Sequence, residues 1–524
     1  RSTLFPYTTL FRSMRLFILL LLVVSPLWSK RPNVVFLVSE DNSIHYLKHY
    51  GARFGSMPNI EKMAEEGLTF NHAFSNAPVC SVARSTLATG ILAPRGGFQY
   101  HRKSALAKGV KPWTALLRKA GYYCANNSKT DYNFATVKGE AWNESSRKAS
   151  WHKRQEKKAP FFYMQSFAVC HESSLHFPAK LMQSEKTKTP VDQVTLHPYH
   201  PDTPTFRYTH ARYFDRMTVV DAQMGAVVEK LQADGLLEDT FVFYFGDHGG
   251  VLPRGKGYAY ESGLHVPLVV RIPENFKHLA DHSRGTRTDG FVSFIDFGPT
   301  VLNLAGLPVP DQMDGKAFLG KGTTAKELAS RDEAFGYADR FDEKYDFVRT
   351  LRKGTWKYIR NYQGFYPDGL QNNYRYRMLA FAEWRELHKA GKLNAAQTQF
   401  FEARPAEQLF DLSKDPHEVS DVAKNPDYQT VLKEMRARMT EKVKGIHDLS
   451  FYPESHMVAK ALGDGVAYGA RHAKEINRLV DIADLGLMPF AKASKSLAKA
   501  MESENPWERY WACITASLFG DVAK

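Results

Sequence analysis

The chain contains 524 residues, more than one hydrophobic core usually serves, so we expect two or three domains. Hydrophobic residues make up 43% and charged residues 24% of the chain, a balance that excludes an intrinsically disordered protein. The formal net charge of +14 has two interpretations: it only keeps the protein soluble, or it attracts a polyanion. No segment resembles a nucleic-acid-binding module, so we expect no nucleic-acid partner and favour an acidic substrate.

The first segments of the chain predict processing rather than folded structure. Residues 1–13 resemble the translation of a sequencing adapter, and we exclude them as an artefact. Residues 14–30 begin with Met14 and carry a short apolar run, Leu16–Val24, which is typical of a signal peptide. A short membrane anchor is the alternative, although the run is short for crossing a bilayer. We therefore expect a periplasmic or secreted protein without a stable membrane anchor.

Strand and helix patterns alternate from residue 31 to residue 318. Continuous apolar runs predict buried strands at 33–38, 122–126, 161–167, 240–245 and 268–271. Helical periodicity or helix-ending glycines predict helices at 58–66, 113–120, 211–234 and 294–305. This alternation predicts an α/β domain with a mostly parallel sheet flanked by helices.

The pattern changes after residue 318. Residues 319–450 predict a smaller α+β subdomain, with two strands within 347–362, a strand at 407–413 and a closing helix at 428–443. Residues 451–524 predict a helical tail whose last part resembles one repeat of a HEAT-type array that is cut short. Because no candidate site residue lies there, we expect a chain ending near Pro453 to stay folded and active.

A cysteine and an arginine open one predicted helix. In the segment APVCSVARSTLATG, Cys80 and Arg84 lie on the first turn and face one way, and Gly90 ends the helix. A helix N-terminus and an arginine both favour a bound anion. Taken alone, the pattern also fits a buried structural cysteine beside a surface arginine.

Two acidic segments follow predicted strands. Glu40 and Asp41 come after the strand at 33–38, and Asp247 and His248 come after the strand at 240–245. Open α/β sheets bind ligands at these strand ends, and adjacent carboxylates repel each other unless a cation joins them. The sequence therefore predicts a metal site. Its oxygen ligands suit Ca²⁺, whereas the histidine leaves Mn²⁺ or another divalent ion open.

These segments occur in the order found in the formylglycine-dependent sulfatases of the alkaline-phosphatase-like superfamily. The segment with Cys80 and Arg84 resembles the family signature Cys-x-Pro-x-Arg, with Val82 in place of the usual proline. Further likenesses include NNSKTDYNF with Lys129, CHESSLHF with His171, and GKGYAYESGLHVP with Lys256. The resemblance runs from Pro32 to about Leu449 and is strongest to the bacterial branch similar to heparan N-sulfatase.

The resemblance implies a reaction and a role for each matched residue. A maturation enzyme converts Cys80 to formylglycine, whose hydrate attacks the sulfur of a sulfated saccharide. Arg84 steadies the hydrate, Lys129 and Lys256 hold sulfate oxygens, and His171 assists the departing alcohol or amine. The implied ligands of the metal are Glu40, Asp41, Asp247 and His248.

Two other functions fit part of the pattern. Phosphoesterases and phosphonate hydrolases share the expected fold, but often use threonine or serine as the nucleophile, so Cys80 favours a sulfatase. A non-catalytic glycan-binding protein that has lost maturation is the second alternative, because Val82 departs from the signature. The predicted function is hydrolysis of a sulfuric ester or N-sulfate on a sulfated glycan.

Overall fold

The computed structural model describes residues 30–102, 105–137 and 139–523. The excluded residues 1–13 and the proposed signal peptide at 14–30 lie outside this range, except for Lys30. Among the described residues, no helix combines the length and the apolar composition needed to cross a membrane.

A large mixed sheet forms the centre of the structure, because its middle strands are mostly apolar and are buried on both faces. Its strands are β1 (Asn33–Ser39), β2 (Gly67–Phe74), β3 (Tyr123–Asn127), β4 (Glu144–Ser145), β5 (Phe161–Phe167), β6 (Thr240–Gly246), β7 (His265–Arg271), β8 (Thr286–Thr288) and β9 (Val292–Ser293). The order is β4-β3-β5-β1-β6-β7-β2-β8, with β9 beside β2. Strand β1 runs parallel to β5 and β6, whereas β7 is antiparallel to β6.

Helices cover both faces of this sheet. They are α1 (Pro58–Glu65), α2 (Cys80–Thr89), α3 (Ala93–Gly96), α4 (Thr114–Lys119), α5 (Leu181–Ser184), α6 (Pro204–Ala233), α7 (Glu261–Leu264) and α8 (Phe297–Leu304). Alternate residues of β1 enter opposite cores. Phe36 packs in the core that holds α2 and α8, and Val35 packs in the core that holds α1 and α6.

A second, antiparallel sheet follows. Its strands, in spatial order, are β10 (Glu333–Ala338), β11 (Val348–Lys353), β12 (Trp356–Asn361) and β13 (Glu407–Asp411). The later helices are α9 (Ala325–Ala329), α10 (Leu379–Lys389), α11 (Ala395–Thr398), α12 (Gln429–Gly445), α13 (Glu454–His456), α14 (Gly465–Arg471), α15 (Ala473–Asp484), α16 (Phe490–Met501) and α17 (Pro506–Ser517). Residues from the large sheet, the second sheet and helices α15 to α17 share one hydrophobic core.

The predicted α/β fold with an α+β subdomain and a helical tail is confirmed. Helix α6 begins at Pro204 rather than at residue 211, because the Thr203 side chain accepts a hydrogen bond from the Phe206 amide and Pro204 suits the first helical position. Strand β2 was not predicted, because Gly67 indicates only the end of the helix predicted at 58–66. A side chain at Gly67 would meet the Val270 carbonyl oxygen at 2.3 Å, so close strand pairing requires glycine.

Candidate active site

Two neighbouring strand ends bring the acidic segments together. Glu40 and Asp41 follow β1, Asp247 and His248 follow β6, and the last residues of these strands pair in register. The chains approach closely here, since a side chain at Gly246 would lie 2.4 Å from the Asn42 carbonyl oxygen. The Asp41 amide donates a hydrogen bond of 3.0 Å to Asp247 Oδ1. The three carboxylates are buried, so their charges act with little screening by water.

The backbone of Asp41 adopts a left-handed conformation with φ of 55°. Such a conformation costs a non-glycine residue about 1–3 kcal/mol and persists only where its surroundings enforce it. The Tyr213 hydroxyl donates to the Asp41 carbonyl oxygen at 2.7 Å, and the Glu172 amide donates to Asp41 Oδ2 at 2.7 Å. These contacts hold the carboxylate of Asp41 in the centre of the cluster.

Cys80 enters the cluster from the first turn of α2. Its Sγ lies 3.2 Å from His248 Nε2 and 4.0 Å from Asp41 Oδ1. His248 Nε2 also lies 2.8 Å from Asp41 Oδ1. Asp41, Cys80 and His248 thus present possible ligand atoms that all lie within 4.8 Å of one another.

Arg84 comes from the next turn of the same helix and faces the same way. Its Nε donates to Asp247 Oδ2 at 3.1 Å, and its Nη1 donates to Ser166 Oγ at 3.0 Å. Burial alone would lower the pKa of this guanidinium, but the charges of Asp247 and Glu40 outweigh burial and raise the pKa. Arg84 therefore offers a fixed positive charge beside Cys80.

Two lysines and a histidine complete the cluster. Lys129 Nζ lies 2.8 Å from Glu40 Oε2, and Lys256 Nζ lies 2.9 Å from Asp41 Oδ1. Lys256 Nζ is also 3.3 Å from His171 Nε2. His171 is half-buried whereas Lys256 is buried, so His171 lies nearer the solvent. The structure thus places every residue proposed from the sequence in one connected cluster.

The charges in the cluster shift proton affinities. Burial would raise the pKa of the Cys80 thiol, but Lys129 and Lys256 outweigh burial and lower the pKa to about 6. Burial would raise the pKa of Asp247, but His248 and Arg84 overcome it and hold the pKa below its usual value. The site therefore stabilises negative charge on the group at position 80 and on Asp247.

Sequence reasoning missed two charged residues beside the cluster. Glu172 is buried and lies 3.6 Å from Lys256 Nζ. Arg375 comes from the segment after β12, contacts Glu172 at 3.7 Å and donates a hydrogen bond to the Lys256 carbonyl oxygen. The position of Glu172 next to His171 was a usable signal. Arg375 offered none, because only tertiary packing brings it here.

The strand-end residues fit a divalent cation. Glu40, Asp41 and Asp247 supply buried carboxylate oxygens, the ligands that hard cations prefer, and His248 adds one nitrogen. Carboxylates this close repel each other unless positive charge joins them, and here lysine, arginine and histidine already converge on them. A divalent ion would likewise offset the repulsion between these carboxylates.

Comparisons with known proteins agree with this geometry. The family model for sulfatases matches residues 32–307. An ulvan-active sulfatase of Formosa agariphila is 34% identical over 479 residues, covering 82% of this chain and 78% of that protein. Human N-sulphoglucosamine sulphohydrolase is 24% identical, covering 82% of this chain and 93% of that protein.

Solved structures share the fold at lower identity. The phosphonate monoester hydrolase of Agrobacterium radiobacter aligns with a TM-score of 0.59 and 17% identity, over 80% of this chain and 97% of that one. A 2-O GAG sulfatase aligns with a TM-score of 0.57 and 16% identity, over 80% of this chain and 93% of that one. These likenesses show the alkaline-phosphatase-like fold. The family match and the 34% identity show more: the chain belongs to the sulfatase family and is a hydrolase of sulfate esters or sulfamates.

Proposed function

We propose that this enzyme removes sulfate from a sulfated saccharide, with a formylglycine derived from Cys80 as its nucleophile. One observation carries the proposal: Cys80 lies at the start of α2, next to Asp41 and His248, where Lys129 and Lys256 lower its pKa. A structural cysteine needs no such surroundings. Cys124, for comparison, is buried in the apolar core, and burial raises the pKa of its thiol.

Conversion of Cys80 to formylglycine is a two-electron oxidation of Cβ, in which oxygen replaces sulfur and the sulfur leaves at the level of sulfide. A maturation enzyme would supply the oxidant and read the segment around Val82. The proposed metal ligands are Glu40, Asp41, Asp247 and His248. Their oxygens favour Ca²⁺, and the nitrogen of His248 favours Mn²⁺ as the second choice.

When present, the formylglycine hydrate supplies an oxygen nucleophile, and the cation supplies positive charge for the sulfate oxygens. The chain's own cations do the rest. Lys129 and Lys256 hold sulfate oxygens, where negative charge builds in the transition state. Arg84, fixed by Asp247 and Ser166, orients the nucleophile. His171, nearer the solvent, would donate a proton to the departing oxygen or nitrogen.

The relatives support a saccharide substrate. The Formosa agariphila protein is described as active on ulvan, and the human relative as acting on N-sulphoglucosamine. Because the Formosa agariphila protein is the more similar of the two, we favour a sulfated polysaccharide as the substrate. The apolar run in residues 14–30 supports a periplasmic or secreted location, where such polymers are met.

A panel of small esters tests the function. The enzyme should hydrolyse an aryl sulfate, and Cys80→Ala should abolish that turnover while the protein stays folded. An aryl phosphate and a phosphonate monoester serve as controls, because the phosphonate hydrolase shares the fold. Faster turnover of either phosphorus ester than of any sulfate ester would contradict the proposal.

Removal of the metal with a chelator should stop turnover, and Ca²⁺ or Mn²⁺ should restore it.

A further inference from the structure

A short 3₁₀ turn, Glu172–Leu175, directly follows His171 and contacts its ring. His171 Nδ1 lies 3.1 Å from the Ser173 hydroxyl oxygen and 3.3 Å from the Ser173 amide nitrogen. The turn is itself anchored in the active site, because the Glu172 amide donates a hydrogen bond of 2.7 Å to Asp41 Oδ2. One edge of the imidazole is therefore held by Ser173, and the opposite edge carries the second ring nitrogen.

That second nitrogen, Nε2, faces the catalytic cluster. It lies 3.3 Å from Lys256 Nζ. The ammonium protons of Lys256 have carboxylate acceptors of their own, since Nζ lies 2.9 Å from Asp41 Oδ1, 3.0 Å from Asp41 Oδ2 and 3.6 Å from Glu172 Oε2. Lys256 therefore does not need His171 Nε2 as an acceptor, and this leaves Nε2 able to carry a proton.

The surroundings of the ring favour its protonated form. Burial alone would lower the pKa of His171, but the negative charge of Asp41 and a hydrogen bond with Cys80 outweigh burial and raise the pKa. An imidazolium carries a proton on both nitrogens, so Nδ1 also needs an acceptor in that state.

The two groups of Ser173 at Nδ1 differ in what they can do. The backbone amide can only donate, so it favours a neutral ring whose Nδ1 is unprotonated. The hydroxyl oxygen, which is the closer of the two, can also accept. The hydroxyl is therefore the group of Ser173 that can stabilise a proton on Nδ1.

We propose that Ser173 is a positioning residue for His171: its hydroxyl oxygen accepts the Nδ1 proton and keeps the protonated Nε2 directed at the leaving group. As the bond between sulfur and the departing oxygen or nitrogen breaks, its electron pair goes to the departing atom, which takes the Nε2 proton. His171 remains neutral, with its other proton on Nδ1 and bonded to Ser173. The proposal rests on the sulfatase reaction and on the role of His171 proposed above.

Two aryl sulfates of similar size test this role. The phenolate that leaves para-nitrophenyl sulfate needs a proton less than the phenolate that leaves phenyl sulfate, because the nitro group stabilises its negative charge. In the mature, metal-loaded enzyme, Ser173→Ala should therefore lower kcat/KM for phenyl sulfate about tenfold more than kcat/KM for para-nitrophenyl sulfate. An equal loss for both esters, or no loss for either, would overturn the proposal.

Two variants of the same turn are matched controls. Ser173→Thr keeps a hydroxyl at the same position, and the ratio of the two kcat/KM values should stay within about twofold of the wild-type ratio. Ser174→Ala removes a buried hydroxyl that has no hydrogen-bond partner among the described residues, and it should keep the wild-type ratio. A change of the ratio in either control equal to that in Ser173→Ala would contradict a role for the Ser173 hydroxyl.

A double variant shows whether Ser173 acts through His171. His171→Ala should lower kcat/KM for phenyl sulfate more than for para-nitrophenyl sulfate, and adding Ser173→Ala should leave the resulting ratio unchanged. A further change of the ratio in the double variant would mean that Ser173 acts independently of His171, and would overturn the proposal.

NMR of protein with isotopically labelled histidine separates this proposal from the proposed function. The His171 signals, assigned by their loss in His171→Ala, should titrate about one pH unit lower in Ser173→Ala than in the wild type, because the protonated ring loses an acceptor. If that shift appears but the wild type cleaves no sulfate ester, the contact with Ser173 stands and the proposed function fails. If the wild type is an active sulfatase and His171 titrates at the same pH in both proteins, the role of Ser173 fails.

Discussion

At the scale of single residues, the site is held together by charge pairs that are buried from water. Asp247 accepts hydrogen bonds from the Asp41 amide and from Arg84 Nε, and its Oδ2 lies 3.9 Å from Lys129 Nζ. Arg84 is 1% exposed, so it cannot find water in place of this partner. The same carboxylate therefore serves folding and the proposed metal site.

Replacement of the Asp247 carboxylate should weaken both the folded state and the proposed metal site. Asp247→Asn should lower kcat for an aryl sulfate by about 100-fold or more, because it removes a charged ligand of the proposed cation that stabilises negative charge on the sulfate. It should also lower the free energy of unfolding by about 3 kcal/mol, since Arg84 loses its main partner. Steady-state kinetics and urea unfolding measure the two effects. Asp311→Asn, at an exposed position, is the control, and full activity in Asp247→Asn would contradict the metal site.

At the scale of elements, strand ends predicted where the acidic residues meet, whereas the two lysines and His171 were assigned from the family resemblance. Polar residues that directly follow an apolar run, such as Asp41 and Asp247, must lie at the carboxyl edge of a parallel sheet, and parallel neighbours bring those edges together. The placement of Cys80 and Arg84 on one side of α2 follows from helical spacing. These features depend on local sequence, which is why they could be predicted.

Other features depend on contacts between distant segments. Strand β2 pairs with β7, almost two hundred residues later, and its own pattern is interrupted by Asn71 and His72. Arg375 reaches Glu172 and Lys256 from the segment between β12 and β13. Local sequence patterns do not determine packing between distant segments, so neither contact could be predicted.

The start of α2 also bears on maturation. The first backbone hydrogen bond of the helix runs from the Ala83 amide to the Val79 carbonyl oxygen, so the Val82 amide makes none within the helix. Proline is tolerated at such a position. Val82→Pro should change the free energy of unfolding by about 1 kcal/mol at most, and should raise the modified fraction of Cys80 when the maturation enzyme is limiting.

Mass spectrometry of co-expressed protein measures that fraction. Val82→Ala, which removes volume without restoring the proline of the signature, is the matched control. A modified fraction that is no higher in Val82→Pro than in the wild type would mean that the maturation enzyme does not read this position.

At the scale of the whole molecule, the C-terminal helices pack into the shared core. Trp511 of α17 is 1% exposed and contacts Phe347, Tyr362 and Phe451. Its Nε1 donates to the Phe451 carbonyl oxygen at 2.7 Å. The sequence favours a tail that can be removed at Pro453, but this packing predicts that removal exposes an apolar surface and destabilises the remaining chain.

A single substitution measures how much the tail contributes. Trp511→Ala should lower the free energy of unfolding by about 3–5 kcal/mol, because it leaves a large cavity and an unpaired carbonyl group. Its kcat for an aryl sulfate, measured well below the melting temperature, should stay within about twofold of the wild type, since no proposed site residue contacts it. Trp507→Ala, at a half-buried position, should cost less stability. Loss of activity in folded Trp511→Ala protein would instead assign the tail a part in shaping the site.

The chemical state of Cys80 in active protein is the most direct test of the proposed mechanism. Trypsin releases it in the peptide of residues 63–84, which mass spectrometry can resolve and an aminooxy reagent can label. We predict an aldehyde in place of the thiol, absent from Cys80→Ala, and sulfatase activity that rises in proportion to the modified fraction. Full sulfate-ester turnover by protein in which Cys80 remains an unmodified thiol would contradict the mechanism.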